Sequence, residues 1–179
     1  MPALLLTGPP GCGKTTLLLE VLSGLSLPAG GFYTEEIRKG GRRLGFRLVT
    51  LDGREAVLAS VESRSPLRVS RYGVELAALD QVGVPAVLDA ARQGHLVVID
   101  EIGKMELLSP RFREAVLTAL ESGVPLLGTI MLAPHPFADA VKARPDVTLL
   151  HLSPDNRQEV RGQLRELLRA AGGGGPAPR

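Results

Sequence analysis

A chain of 179 residues, 44% hydrophobic and 22% charged, is long and apolar enough to bury one proper core. Aromatics make up only 3%, Trp is absent and the net charge is +2, so neither base-stacking platforms for single strands nor the dense basic face of a wholesale nucleic-acid binder finds support. The single cysteine, Cys12, rules out an internal disulfide and fits a reducing cytosol, and no stretch nears the ~20 apolar residues of a membrane helix.

The apolar run Ala3–Leu6 reads as a strand, too short and without the basic segment of a secretion signal. Gly8 and Pro9-Pro10 follow, then a helical stretch from about Lys14 to Leu25. Between Gly30 and Gly53, Phe32, Tyr33, Thr34 and Ile37 favour one strand, and Phe46, Leu48, Val49 and Thr50 another. Gly40-Gly41 between them signals a turn, which predicts a β-hairpin at about 31–50. Residues 57–71 suggest a short strand and a loop. Helical spacing returns from Val74 to Gln93, with an interruption expected near Gly83–Pro85.

"HLVVID", His95 to Asp100, is a continuous apolar run ending in acid, as in a buried parallel strand. Ser109-Pro110 forms an N-cap and first-turn proline, ahead of a stripe of Phe112, Ala115, Val116, Ala119 and Leu120. Val124–Leu132 and Val147–Leu152 read as two more strands, and Ser153-Pro154 as the opening of a last helix running to about Ala171. Residues 172–179 read as a flexible Gly/Pro tail. Strands alternating with helices predict a single α/β domain over residues 1–171, with a mostly parallel central sheet flanked by helices.

The opening strand, loop and helix satisfy G-x-x-x-x-G-K-[ST] through Gly8, Gly13, Lys14 and Thr15, the Walker A pattern of a P-loop. Glycines let the backbone wrap a phosphate, and amides at a helix N-terminus face it with partial positive charge. The nucleotide-binding run is therefore Gly8, Pro9, Pro10, Gly11, Cys12, Gly13, Lys14, Thr15 and Thr16. Lys14 is expected to reach the β- and γ-phosphates, and Thr15 to place its hydroxyl on Mg²⁺. Cys12 is either a reactive thiol or a small filler. The loop alone suits kinases, switches and hydrolases equally.

"VVIDEIGKMEL" supplies the Walker B half. Asp100, ending a neighbouring buried strand, is expected to hold Mg²⁺. Glu101, one step on, can polarise a water for in-line attack on the γ-phosphorus, a reading set against a strand-end cap or an Arg partner. Lys104 touches nucleotide, orients the acids or lies exposed, and Glu106 follows on the same loop. Thr129, in "LLGTIML", stands where it can sense the γ-phosphate or simply close strand-end hydrogen bonds. Arg157, in "SPDNR", either nears the nucleotide or is an exposed helix-start residue. The basic hairpin tip, Arg38 to Arg43, offers phosphate contacts, a transition-state Arg or a solvated face. His95, His135 and His151 lack metal-ligand spacing, so Mg²⁺ is the one cofactor implied.

With these segments in place, the chain resembles the THEP1-type nucleoside-triphosphatases, the small P-loop family that includes the cancer-related nucleoside-triphosphatase. The resemblance rests on "LTGPPGCGKTT", "GFYTEEIRKGGRRLGF", "VVIDEIGKMEL", "LLGTI" and "SPDNR", which together span nearly the whole chain. It implies a RecA-like or AAA-like domain that slowly hydrolyses ATP, GTP, CTP and UTP with Mg²⁺ to diphosphate and phosphate. It carries phosphate binding onto Gly8–Thr15, metal and water activation onto Asp100 and Glu101, and nucleotide contact onto Gly103 and Lys104. A cytoplasmic monomer is expected. Two rivals stay open: a nucleotide or nucleoside kinase, and a nucleic-acid-stimulated switch.

Overall fold

The computed structural model describes residues 3–172. One nine-stranded sheet runs through the molecule in the order β5-β6-β4-β3-β2-β7-β8-β1-β9. Its strands are β1 (Ala3–Thr7), β2 (Ala29–Lys39), β3 (Arg42–Thr50), β4 (Glu55–Ser60), β5 (Arg68–Val69), β6 (Tyr72–Val74), β7 (Leu96–Ile102), β8 (Leu126–Ile130) and β9 (Val147–His151).

The five strands β2, β7, β8, β1 and β9 pair in parallel. Beyond β2 every pairing is antiparallel, so the sheet is mixed. The change of sense begins at the hairpin, where Gly40 (φ 59°) and Gly41 (φ 76°) make the two-residue turn that positive φ allows. A two-residue turn can only return the chain antiparallel, whereas each parallel crossover carries at least one helix.

Those helices are α1 (Lys14–Ser23), α2 (Leu76–Ala78), α3 (Val84–Arg92), α4 (Pro110–Glu121), α5 (Pro136–Lys142) and α6 (Arg157–Gly172). They cover both faces of the parallel strands, and alternation along β1 assigns its residues. Leu4 and Leu6 pack with Leu17, Leu18 and Val21 of α1 and Val160, Leu164 and Leu168 of α6. Ala3 and Leu5 belong to the opposite core, with Val87 of α3, Phe112 and Val116 of α4 and Val141 of α5. There Phe112 meets Phe32 of β2 edge-on, with ring centroids 6.1 Å apart.

Several local expectations are revised. The interruption at Gly83–Pro85 is a π-helical turn, Leu79–Gly83, that joins α2 to α3 without breaking the path. The Val84 amide donates to the Leu79 carbonyl five residues back, and Pro85, which has no amide to offer, falls in the first turn of α3. The last helix starts at Arg157 rather than at Ser153-Pro154. Ser153 N donates to Asn156 Oδ1 (2.8 Å), Asn156 Nδ2 donates to the His151 carbonyl (2.8 Å), and the Asn156 carbonyl takes the first helical bond from Val160. Helix α5 has no counterpart in the sequence reading; His135 Nδ1 accepts from Phe137 N at 3.1 Å and caps it. Gly172, assigned above to the tail, closes α6, and residues 173–179 lie outside the described residues. Ser109 does cap α4, its hydroxyl accepting from Phe112 N (3.0 Å) while donating to Asp80.

Candidate active site

Three strand ends converge at one edge of the sheet: β1, which runs into the glycine loop, β7, which carries Asp100 and Glu101, and β8, which carries Thr129. Crevices of this kind, outside the carboxyl ends of parallel strands, are where ligands bind α/β sheets. Here the crevice is a cleft of about 720 Å³ running from the loop past the two acids to Arg43, Phe46 and Met105.

Gly13 precedes α1 in the left-handed region (φ 89°), a conformation that a side chain would strain. No side chain caps this helix and no acid occupies its first turn, so its leading amides face the cleft with the helix dipole behind them. Lys14 curls over the loop, its ammonium donating to the Gly8 carbonyl at 3.0 Å and to Pro9 at 3.5 Å. Pro10, Gly11, Gly13, Lys14, Thr15 and Thr16 line the cleft, while Gly8 is buried beneath them.

Asp100 is 1% exposed. Its Oδ2 accepts from Thr15 Oγ1 (2.8 Å) and from the Thr34 amide (3.3 Å), and its Oδ1 accepts from Thr129 Oγ1 (2.5 Å). Burial lifts the Asp100 carboxyl above its ordinary range, opposed by these three donors and by the charge of Lys14. Thr129 is fully buried behind Asp100, with its hydroxyl committed there. Of its two readings, the geometry matches strand-end hydrogen bonding. Thr34, whose amide helps fix Asp100, escaped the sequence reading. Nothing in the sequence says that β2 lies beside β7.

Glu101 lines the cleft next to Asp100. Burial raises its carboxyl, Lys14 opposes that, and the neighbouring Asp100 charge adds to it. Lys104 is exposed at the same wall. Glu106, which the sequence left without a role, is a third acid at this wall and only 5% exposed. Burial first, then repulsion from Glu101 and Asp100, hold its carboxyl well above the ordinary value, although the Glu106 and Gly103 amides work the other way.

The folded protein therefore binds the Glu106 proton more tightly than the unfolded chain does. Stability falls as pH rises from about 4.5 toward the folded value, and stays lower above it. Glu106→Gln, which keeps the shape without the ionisable group, is expected to melt higher than the parent near pH 8. The gain should be about 2–4 °C for each kcal/mol on a chain of this size. It should shrink as pH is lowered toward 4.5; a melting difference that does not vary with pH would refute this account of Glu106.

The oxygen donors of Asp100 and Thr15 are hard ligands of the kind Mg²⁺ takes together with phosphate oxygens and waters. Among the described residues no group of three or more His, Cys, Asp or Glu is placed to hold a metal ion by itself. The donor set fits an ion shared with a bound triphosphate.

Arg157 reaches the loop from α6. Its guanidinium donates to the Gly13 carbonyl (3.2 Å) and to Glu20 of α1 (3.0 Å), so it ties the loop and first helix to the last helix. Arg157→Ala is expected to loosen the loop at a cost of about 1 kcal/mol, roughly fivefold in KM, with kcat nearly unchanged. Steady-state kinetics on the parent and the variant will show it, and a drop confined to kcat would refute the tether. At the hairpin tip, Glu36 pairs with Arg38 (2.6 Å) and with Arg43 (3.2 Å), and Arg43 also donates to the Tyr72 hydroxyl. Part of the basic cluster is thereby neutralised by its own strand.

Comparison with known proteins points the same way. The chain matches the family described as NTPase over residues 3–164. It is 46% identical over 165 residues to the nucleoside-triphosphatase THEP1 of Thermotoga petrophila, covering 92% of this chain and 90% of the relative. It is 42% identical over 171 residues to the human cancer-related nucleoside-triphosphatase, covering 87% and 90% respectively. Among solved structures, it is similar to the crystal structure of THEP1 from the hyperthermophile Aquifex aeolicus. The TM-score is 0.85 at 33% identity, over 93% of this chain and 98% of that one. The solution structure of the human cancer-related protein superposes with a TM-score of 0.81 at 37% identity, over 96% and 99%.

Proposed function

The chain belongs to the THEP1-type nucleoside-triphosphatase family, and on that premise we propose that it hydrolyses nucleoside triphosphates by Mg²⁺-dependent attack of a water activated by Glu101. It is a nucleoside-triphosphatase. The observation that carries the finer reading is the Thr15–Asp100 contact of 2.8 Å beside Glu101 in a single cleft.

In this reading the amides of Gly11 to Thr15 cradle the phosphates, and Lys14 exchanges its loop carbonyls for β- and γ-phosphate oxygens. Asp100 and Thr15 would hold Mg²⁺, with the Thr34 amide and Thr129 hydroxyl fixing the Asp100 carboxylate in place. When bound, the ion supplies neutralisation of charge on the β- and γ-phosphate oxygens. Glu101 accepts a proton from water as the water oxygen attacks the γ-phosphorus in line. The bond from that phosphorus to the bridging oxygen breaks, and nucleoside diphosphate leaves with the electron pair.

Base choice is broad in this reading, with ATP, GTP, CTP and UTP all substrates, turnover slow, and the protein a cytoplasmic monomer. No helix among the described residues is long and apolar enough to cross a membrane.

Phosphate release from the four nucleotides, with and without EDTA and in ¹⁸O-labelled water, tests the proposal. The label should enter inorganic phosphate, release should stop with EDTA, and rates should lie within about tenfold of one another, the discrimination expected of weak apolar base contacts. Phosphate arriving on an added nucleoside would make the enzyme a kinase instead. A jump in turnover on adding RNA would make it a nucleic-acid-driven switch.

A further inference from the structure

Gly103 is buried two residues beyond Glu101, and its φ lies outside the left-handed range. Backbone conformation therefore does not require glycine here. Space does. A Cβ at this position would fall well inside van der Waals contact of Glu101 Oε1 and would lie 2.8 Å from its Cγ and 3.0 Å from its Cδ. The Glu101 side chain therefore folds back over its own turn, into the space that a side chain at residue 103 would take.

That floor is itself fixed. The Gly103 carbonyl accepts from Leu107 N at 2.9 Å, starting the 3-10 turn Glu106–Leu108. The turn closes with Ser109 N donating to the Glu106 carbonyl (3.0 Å), and Ser109 is anchored to Asp80 and to the first turn of α4.

We propose that Gly103 is a positioning residue: its missing side chain leaves the space in which the Glu101 carboxylate is held toward the cleft. This rests on Glu101 being the base. A methyl group at residue 103 must push the carboxylate off its seat. A displacement of about 1 Å is enough to cost roughly a hundredfold in rate.

The experiment uses the full chain and three variants: Gly103→Ala, Glu101→Ala and the double variant. Gly103→Ala should lower kcat about a hundredfold while KM and the affinity for a fluorescent triphosphate stay within about twofold. Glu101→Ala is slower by itself, but its side chain ends at Cβ and has no atom for a methyl group at residue 103 to displace. Adding Gly103→Ala to it should cost little more, the non-additivity expected of groups in contact.

Any drop in thermal midpoint caused by Gly103→Ala should be recovered when Glu101 becomes Ala, which keeps the test decisive even if the single variant folds poorly. Parent-like kcat in Gly103→Ala overturns the proposal. So does a full hundredfold loss repeated in the Glu101→Ala background, a loss confined to nucleotide affinity, or a lowered midpoint that Glu101→Ala fails to restore. Failure of the base reading is separate and visible: Glu101→Gln would then turn over like the parent, whatever Gly103→Ala does.

Discussion

Glu101→Gln is expected to lower turnover by about 10²–10⁴-fold, the range that general-base catalysis supplies, while nucleotide affinity stays within about a factor of two of the parent or improves. The amide has the volume of the carboxylate and can occupy the same seat over Gly103, but it cannot take a proton from water. Removing a negative charge close to the bound triphosphate does not weaken binding. The pH dependence sharpens the expectation. Burial and Asp100 raise the Glu101 carboxyl above about 4.5 despite Lys14, so hydrolysis should decline as pH falls through that raised value, where the base becomes protonated. The residual activity of Glu101→Gln should lack this acid limb. Single-turnover phosphate release beside fluorescent-nucleotide titration measures both quantities. A variant as fast as the parent would place the base elsewhere.

The second large effect belongs to Asp100→Asn. This carboxylate accepts three hydrogen bonds, and an amide can be fitted among them. Its oxygen keeps the side shared by the Thr34 amide and the Thr15 hydroxyl, its NH₂ turns to Thr129, and that hydroxyl rotates to accept. The fold should therefore survive, and the missing charge is what the measurement isolates. Loss of an anionic oxygen ligand costs several kcal/mol of charge stabilisation at the phosphates, so turnover at limiting Mg²⁺ should fall about a hundredfold. Excess Mg²⁺ should recover part of it. If the Mg²⁺ dependence of Asp100→Asn superimposes on that of the parent, Asp100 does not hold the ion.

What the sequence disclosed, it disclosed through short-range signals. The phosphate loop, the acid-ended strand, the Gly-Gly hairpin and the Ser109 cap are each written within a few residues, because turn geometry, capping and burial patterns act locally. What stayed hidden depends on which elements become neighbours. Thr129 and Asp100 meet because β8 lies beside β7, and Arg157 meets Gly13 across 144 positions of chain. Glu106 illustrates a different failure. An acid on a connecting loop reads as solvated, yet this one is buried against two other acids, and only the three-dimensional path of the turn puts it there. The short strands β5 and β6 sit among Ser, Arg, Gly and Pro, where strand propensity is weak, and pairing of β6 with β4 and of β5 with β6 supplies the order. Helix α5 was missed because its cap is a histidine rather than one of the usual small polar residues.

The first of the described strands has the last two of them as its neighbours. Strand β1 lies between β8 and β9, and the loop it feeds is pinned by Arg157 of α6. A ribosome must deliver β8 before β1 can take its place in the sheet. A chain cut short before α6 would have every residue of its phosphate loop but lack the Arg157 tether and the α6 side chains that pack beneath β1.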